Sequence, residues 1–120
     1  MILTNGTTPS LNRYEQGRLG ELAAAKHFAA QGWLVLWPTG EAAYDFAVDD
    51  GQSILRVQVK SSGSLDSRGR MRFCLRRGGN QSYPEGSVDL FALYNVLTDE
   101  VRVYRAEDMK KNKYWEDEHA

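Results

Sequence analysis

The chain predicts an α+β fold in which a long N-terminal helix packs on a mixed, mainly antiparallel β-sheet. Three observations carry this expectation. Apolar and small residues recur at helical spacing from Leu11 to Ala29. Beyond Gly32 the pattern switches to short apolar runs with period-two alternation, rich in aromatic and β-branched residues. Turn residues separate these runs closely, so most neighbouring strands pair antiparallel, as in layered helix-on-sheet folds.

Residues 1–9, MILTNGTTP, are polar and broken by glycine and proline, and read as a loose lead-in. Ser10 is a plausible N-cap; Leu11, Tyr14, Leu22, Ala25 and Ala29 then continue a helix to Gln31, where Gly32 supplies the stop. WLVLWP, Trp33 to Pro38, suits a strand. Further strands are expected at about Tyr44–Val48, Ile54–Lys60, Arg70–Arg76, Val88–Val96 and Val101–Arg105. Arg76 to Ser87 is the longest interruption, Ala106–Tyr114 reads as a terminal helix, and residues 116–120 form an acidic tail. Residues 10–115 are thus expected to make one domain.

A chain of 120 residues, 42% of them hydrophobic, has room for one modest core. Sixteen acidic against fifteen basic residues leave a net charge of −1, a field too weak to imply nucleic acid or membrane by itself, so any charge argument must be local. The single cysteine, Cys74, cannot form an internal disulfide. No leader pattern opens the chain, and no run approaches the roughly 18 apolar residues of a membrane span. A cytoplasmic protein without a membrane partner is expected.

Parity locates a candidate site in YDFAVDDGQSILRVQVKSS, Tyr44 to Ser62. Tyr44, Phe46 and Val48 are the apolar set of one limb; Leu55, Val57 and Val59 are that of the other. If both sets share a face, Phe46 pairs with Val57, and Asp45 falls opposite Gln58 with Lys60 as diagonal neighbour. Cross-strand β-carbons lie about 5 Å apart and diagonal ones about 7–8 Å, so a carboxylate, an amide and an ammonium converge. The tighter Asp50-Gly51 hairpin shifts the pairing by two residues and keeps the same faces. An isolated Asp and Lys on a hairpin usually form only a solvated ion pair worth under about 1 kcal/mol, but two further features accompany this one.

Glu21 falls on or beside the helix stripe of Tyr14, Gly17, Ala24, Ala25 and Phe28. A carboxylate there costs free energy unless it is paired, binds a cation or borders water. From Arg56 to Arg77 seven basic residues face Asp66 alone, a local charge of +6. Within RMRFCLRR, Arg70, Arg72 and Arg76 take one face, and Met71, Phe73 and Leu75 the other. Such a row suits phosphate oxygens, or serves as a charged edge that resists aggregation. Ser62, Gln81 and Tyr83 extend the candidate DNA-contacting set; Cys74 is expected to be half-buried.

The ordered set of Glu21 in RYEQGRLGELAAAKHFAAQGW, Asp45, and Gln58-Val59-Lys60 at a strand end resembles the PD-(D/E)xK nuclease superfamily. Within it, RVQVKSS, YDFAVDDG and SVDLFALYNVLTDEVRVY are most similar to the cyanobacterial group I intron-encoded homing endonucleases, and more distantly to archaeal-type Holliday junction resolvases. The likeness runs from about Arg13 to Arg105. It implies a restriction-endonuclease-like core and a metal-dependent DNA endonuclease using Mg²⁺, with Mn²⁺ able to substitute. Asp45 and Glu21 would hold the metal with the Val59 carbonyl, and Lys60 would position or help deprotonate the attacking water. Gln58 stands where most of the superfamily has a carboxylate, which lowers metal affinity; the homing endonucleases share this glutamine. A junction-specific nuclease and a non-cleaving DNA-binding module of the same fold are the alternatives. Specific DNA complexes bury about 1,000 Å² or more of protein, so a homodimer or homotetramer is expected, with Trp37, Tyr94, Tyr104 and Trp115 as candidate interface residues.

Overall fold

The computed structural model describes residues 10–76, 83, 86–109 and 112–115. The lead-in, the acidic tail, Arg77, Gln81, Lys110 and Lys111 lie outside the described residues. One helix, α1 (Arg13–Ala30), precedes seven strands: β1 (Leu34–Leu36), β2 (Phe46–Asp49), β3 (Ile54–Ser62), β4 (Met71–Cys74), β5 (Leu90–Asn95), β6 (Glu100–Arg105) and β7 (Asn112–Trp115).

The N-cap lies two residues beyond Ser10. Asn12 is the N-cap: its side chain accepts from the Glu15 amide at 2.8 Å, and the Glu15 carboxylate accepts from the Asn12 amide at 3.0 Å. This reciprocal pair satisfies two otherwise orphaned donors. At the other end Gly32, at φ +83°, takes the left-handed turn that stops the helix and sends Trp33 toward β1. The buried stripe is narrower than the sequence suggests. Gly20, Ala24 and Phe28 form it, whereas Tyr14 and Leu22 are exposed at 76% and 56%. The sheet is wide relative to the helix, so a single i, i+4 row is enough to make contact.

The main sheet has the order β1-β2-β3-β5-β6, antiparallel except for the central β3–β5 pair. Its β2–β3 register is Phe46↔Val57 and Val48↔Leu55, as parity requires. Asp49 and Asp50 stabilise the turn by accepting backbone amides of Gly51, Gln52 and Ser53 at 2.8 Å. One face of the sheet packs Phe46, Val48, Val57, Val59, Leu90 and Ala92 against Ala24 and Phe28 of α1. On the other face Phe91 and Leu93 meet Met71 and Phe73 of β4 and Leu75 just beyond it, with Trp115 of β7 alongside.

Three expectations are corrected here. Ala106–Tyr114 is not a helix: Ala106–Asp108 make one 3₁₀ turn, and Asn112–Trp115 form a strand antiparallel to β4. The aromatic Tyr114 and Trp115 have β-propensity, and pairing with the otherwise lone β4 satisfies both backbones. Tyr94 is not an interface residue; it is 2% exposed because β5 is covered on both faces, and its hydroxyl donates to Asp99 at 2.6 Å. Burial, with the Asp99 contact second, pushes its pKa up to about 12. Cys74 is exposed, because it shares the outward parity of Arg72 on β4. Trp37 is 48% exposed as expected, while Tyr104 and Trp115 are partly buried beneath Lys113 and Arg102.

Candidate active site

The site arises where β3 outruns β2. The β2 ladder ends at Phe46↔Val57, and β3 continues to Ser62. Even-numbered β3 residues turn their backbone groups toward β5, as the Asp89 amide on the Arg56 carbonyl and the Val96 amide on the Ser62 carbonyl show. Val57 and Val59 therefore turn theirs toward β2, since one residue's N–H and C=O leave a strand on the same side. Past the end of β2 the residue that meets them is Asp45. Its amide donates to the Val57 carbonyl at 2.9 Å, and its carboxylate accepts from the Val59 amide at 2.7 Å. The Val59 carbonyl faces the same gap.

Glu21 reaches this gap from α1 because of the residue before it. Gly20 lies directly on Ser61, so close that a β-carbon there would stand 1.9 Å from the Ser61 Oγ. Only glycine permits that approach. Glu21 then lies within hydrogen-bonding reach of Asp45, and its Oε2 also accepts from Arg18 at 3.0 Å. Burial, and then the Asp45 charge, push the Glu21 carboxyl up, against the opposing pull of Arg18. Burial likewise pushes Asp45 up, against the Val59 amide, the contact with Glu21 and the Lys60 charge.

Lys60 is mostly buried, and burial lowers its pKa despite the charge of Asp45. Its Nζ donates to the Arg76 carbonyl at 2.9 Å and stands 5.1 Å from the centre of the Tyr83 ring. Tyr83 packs edge-on against Phe91. Gln58 shares the Lys60 face by parity and is half-exposed, but the Asp45 carboxylate accepts its hydrogen bond from the Val59 backbone amide and not from the Gln58 side chain.

Asp45 thus interacts with both Glu21 and Lys60, and Val59 supplies backbone to the same place. Two carboxylates and a carbonyl are an all-oxygen donor set of the kind that Mg²⁺ or Mn²⁺ takes, Mg²⁺ needing only one or two carboxylates when waters complete the shell. Among the described residues no group of three or more His, Cys, Asp or Glu side chains is clustered for metal binding. A cavity of about 1490 Å³ lies elsewhere, lined by Leu75, Tyr83, Asp89 and Met109 among others, and its lining includes none of Glu21, Asp45 and Lys60.

The outer candidates divide. Arg72 is exposed and Ser62 half-buried at the end of β3. Arg70 is held by Asp66 at 3.1 Å and stacks on Tyr114, 4.2 Å from the ring centre. Arg76 supplies the carbonyl that holds Lys60. Sequence reasoning missed Arg18, the Gly20–Ser61 contact and the whole of β7. A glycine inside a helix, costing about 1 kcal/mol against alanine, was the available signal for the second.

The family model described as PD-(D/E)XK endonuclease matches residues 11–116, and the chain belongs to this family. Among solved structures it is similar to that of a bacterial homing endonuclease, I-Ssp6803I. The two share 25% sequence identity at a TM-score of 0.72, over 87% of this chain and 75% of the other. No curated protein matches the chain. No helix among the described residues is long and apolar enough to cross a membrane.

Proposed function

We propose that the chain is a Mg²⁺-dependent DNA endonuclease of homing-endonuclease type, active in the cytoplasm as a homodimer or homotetramer, with Mn²⁺ able to replace Mg²⁺. One observation carries the reading: two carboxylates, Glu21 and Asp45, share a half-buried gap beside Lys60 at the free edge of β3. Such a pair is costly when both are ionised and unpaired, and a divalent cation removes that cost.

Asp45, Glu21 and the Val59 carbonyl hold the metal. When bound, it supplies a Lewis acid for the scissile phosphate and makes water more acidic. Lys60 orients the attacking water and offsets charge growing on the phosphoryl oxygens, and its lowered pKa eases proton exchange. Gln58 lends an amide oxygen without adding charge. Arg18 shields Glu21 from the side open to solvent. Ser62, Arg70, Arg72, Arg76, Gln81 and Tyr83 serve DNA binding, with Tyr83 also walling in Lys60.

The test is incubation of supercoiled plasmid, linear duplex and four-way-junction DNA with the protein, with and without Mg²⁺. Plasmid nicking that needs Mg²⁺ and falls at least a hundredfold in Asp45→Ala is expected. Unchanged nicking by that variant removes Asp45 from the mechanism. Preference for the junction over linear duplex transfers the reading to a resolvase, and binding without any cleavage transfers it to a non-cleaving module.

A further inference from the structure

The β4–β7 pair stands apart from the main sheet as a two-stranded ribbon. Its inner face, Met71 and Phe73 with Trp115 opposite, is committed to the core. Its outer face pairs Arg72 with Tyr114 and Cys74 with Asn112. Arg72, Cys74 and Asn112 are exposed, and Arg72 makes no ion pair among the described residues. Leu65, 56% exposed, joins Arg72 and Tyr114 around an open cleft of about 310 Å³.

Four features of this face fit one partner. The charge is complementary to a polyanion: Arg68, Arg70 and Arg72 lie on or beside it, and Asp66 is spent on Arg70. The dimensions suit a groove, because two strands of four residues measure roughly 13 Å by 5 Å in backbone, and the major groove of B-DNA, about 12 Å wide, admits a two-stranded ribbon. The position suits a substrate already seated at the site: Arg76, two residues beyond β4, holds the Lys60 ammonium. The side chains also have the right chemistry for base edges, since arginine reads guanine, asparagine reads adenine, and an apolar group meets the thymine methyl.

We propose that the outer face of the β4–β7 ribbon enters the major groove beside the cut and reads base edges through Arg72 and Asn112, with Leu65 and Tyr114 packing alongside. Arg70, braced by Asp66 and stacked on Tyr114, keeps the ribbon in register on a phosphate. This rests on the nuclease reading for its substrate, and it assigns sequence choice to a strand pair separate from the catalytic edge.

The test is selection of bound duplexes from a random-sequence DNA pool, without cleavage, by the full chain and by Arg72→Ala and Asn112→Ala, each checked for an unchanged melting curve. The unaltered chain is expected to enrich a motif, and each variant to lose roughly tenfold or more of the preference at one or two positions while keeping the rest. Identical motifs from all three proteins overturn the proposal. Weaker binding with an unchanged motif makes the ribbon a phosphate clamp only, and overturns base reading. No enriched motif from the unaltered chain overturns it as well. Failure of the nuclease reading appears separately, as absence of Mg²⁺-dependent nicking in a protein that still selects its motif.

Discussion

Glu21 and Asp45 both favour a proton where they sit, Glu21 because burial and then the Asp45 charge act on it, Asp45 mainly through burial. A folded-state pKa above the unfolded value means that the native protein binds more protons in the interval between them. The pair's stabilising contribution is therefore complete below the ordinary carboxylate pKa and is lost as pH rises through the folded value. In the metal-free protein, Glu21→Gln is expected to raise the melting temperature by about 2–5 °C near pH 8. That gain should shrink as the pH falls toward 4 and when Mg²⁺ is added to the unaltered chain. Melting curves across pH with chelator or Mg²⁺ check this; a lower melting temperature for the variant at pH 8 contradicts it. At this scale the convergence of Asp45 and Lys60 was legible, because strand parity is a two-state property that apolar neighbours decide. Arg18 was not, since an arginine three residues before a glutamate on a helix is an ordinary surface pair.

Among the elements, the contact of α1 on β3 sets the site's dimensions. Gly20 on Ser61 fixes how near the helix comes, and the Ser61 Oγ is buried there without a hydrogen-bond partner. Gly20→Ala is expected to cost about 1–3 kcal/mol of stability and to lower Mg²⁺-dependent nicking tenfold or more by moving Glu21 away from Asp45. Adding Ser61→Ala removes the colliding oxygen and leaves the nearest Ser61 atom at 3.3 Å, so the double variant should recover much of both losses. Denaturant unfolding and nicking assays on the single and double variants measure this, and no recovery in the double variant rules the contact out as the cause. The β2–β3 ladder was readable down to its register, because Phe46, Val48, Leu55, Val57 and Val59 alternate cleanly. β5 was readable as a strand but not by face: Leu90 to Asn95 are all buried between α1 and the ribbon, and a strand covered twice carries no alternation. β7 escaped because Asn112-Lys113-Tyr114-Trp115 has no clean alternation and gains its structure from β4, forty residues away in sequence.

The molecule as a whole places apolar surface on several outward positions: Leu34 at 61%, Ile54 at 60% and Trp37 at 48% exposure. Leu34 and Ile54 occupy one row of the sheet, each registered on Asp49. A proposed cutter of both strands of a duplex needs two such sites, and β1 is the sheet edge nearest this apolar row. Sedimentation at micromolar concentration in physiological salt is expected to show a dimer or tetramer that Leu34→Glu with Trp37→Glu converts to monomer. A monomer in the unaltered protein refutes the assembly. Fold class and the succession of strands along the chain up to β6 could be inferred from the residues in turn; the parallel β3–β5 pairing, the separate β4–β7 ribbon and the two-layer cover of β5 could not, because they depend on contacts between segments distant in sequence.

The parallel pairing of β3 with β5 has its own consequence. Joining two parallel neighbours requires a long excursion of the chain out of the sheet, and here that excursion, residues 63–89, carries β4. In the proposed reading cutting stays with α1 and the ladder, whereas the outer face of this detour, with β7 beside it, takes on the choice of target. Resurfacing its outward positions, such as Arg72 and Cys74, leaves the packed inner face and the register of the sheet as they are, so on that reading a nuclease of this kind could move to new addresses on DNA without rebuilding its cutting edge.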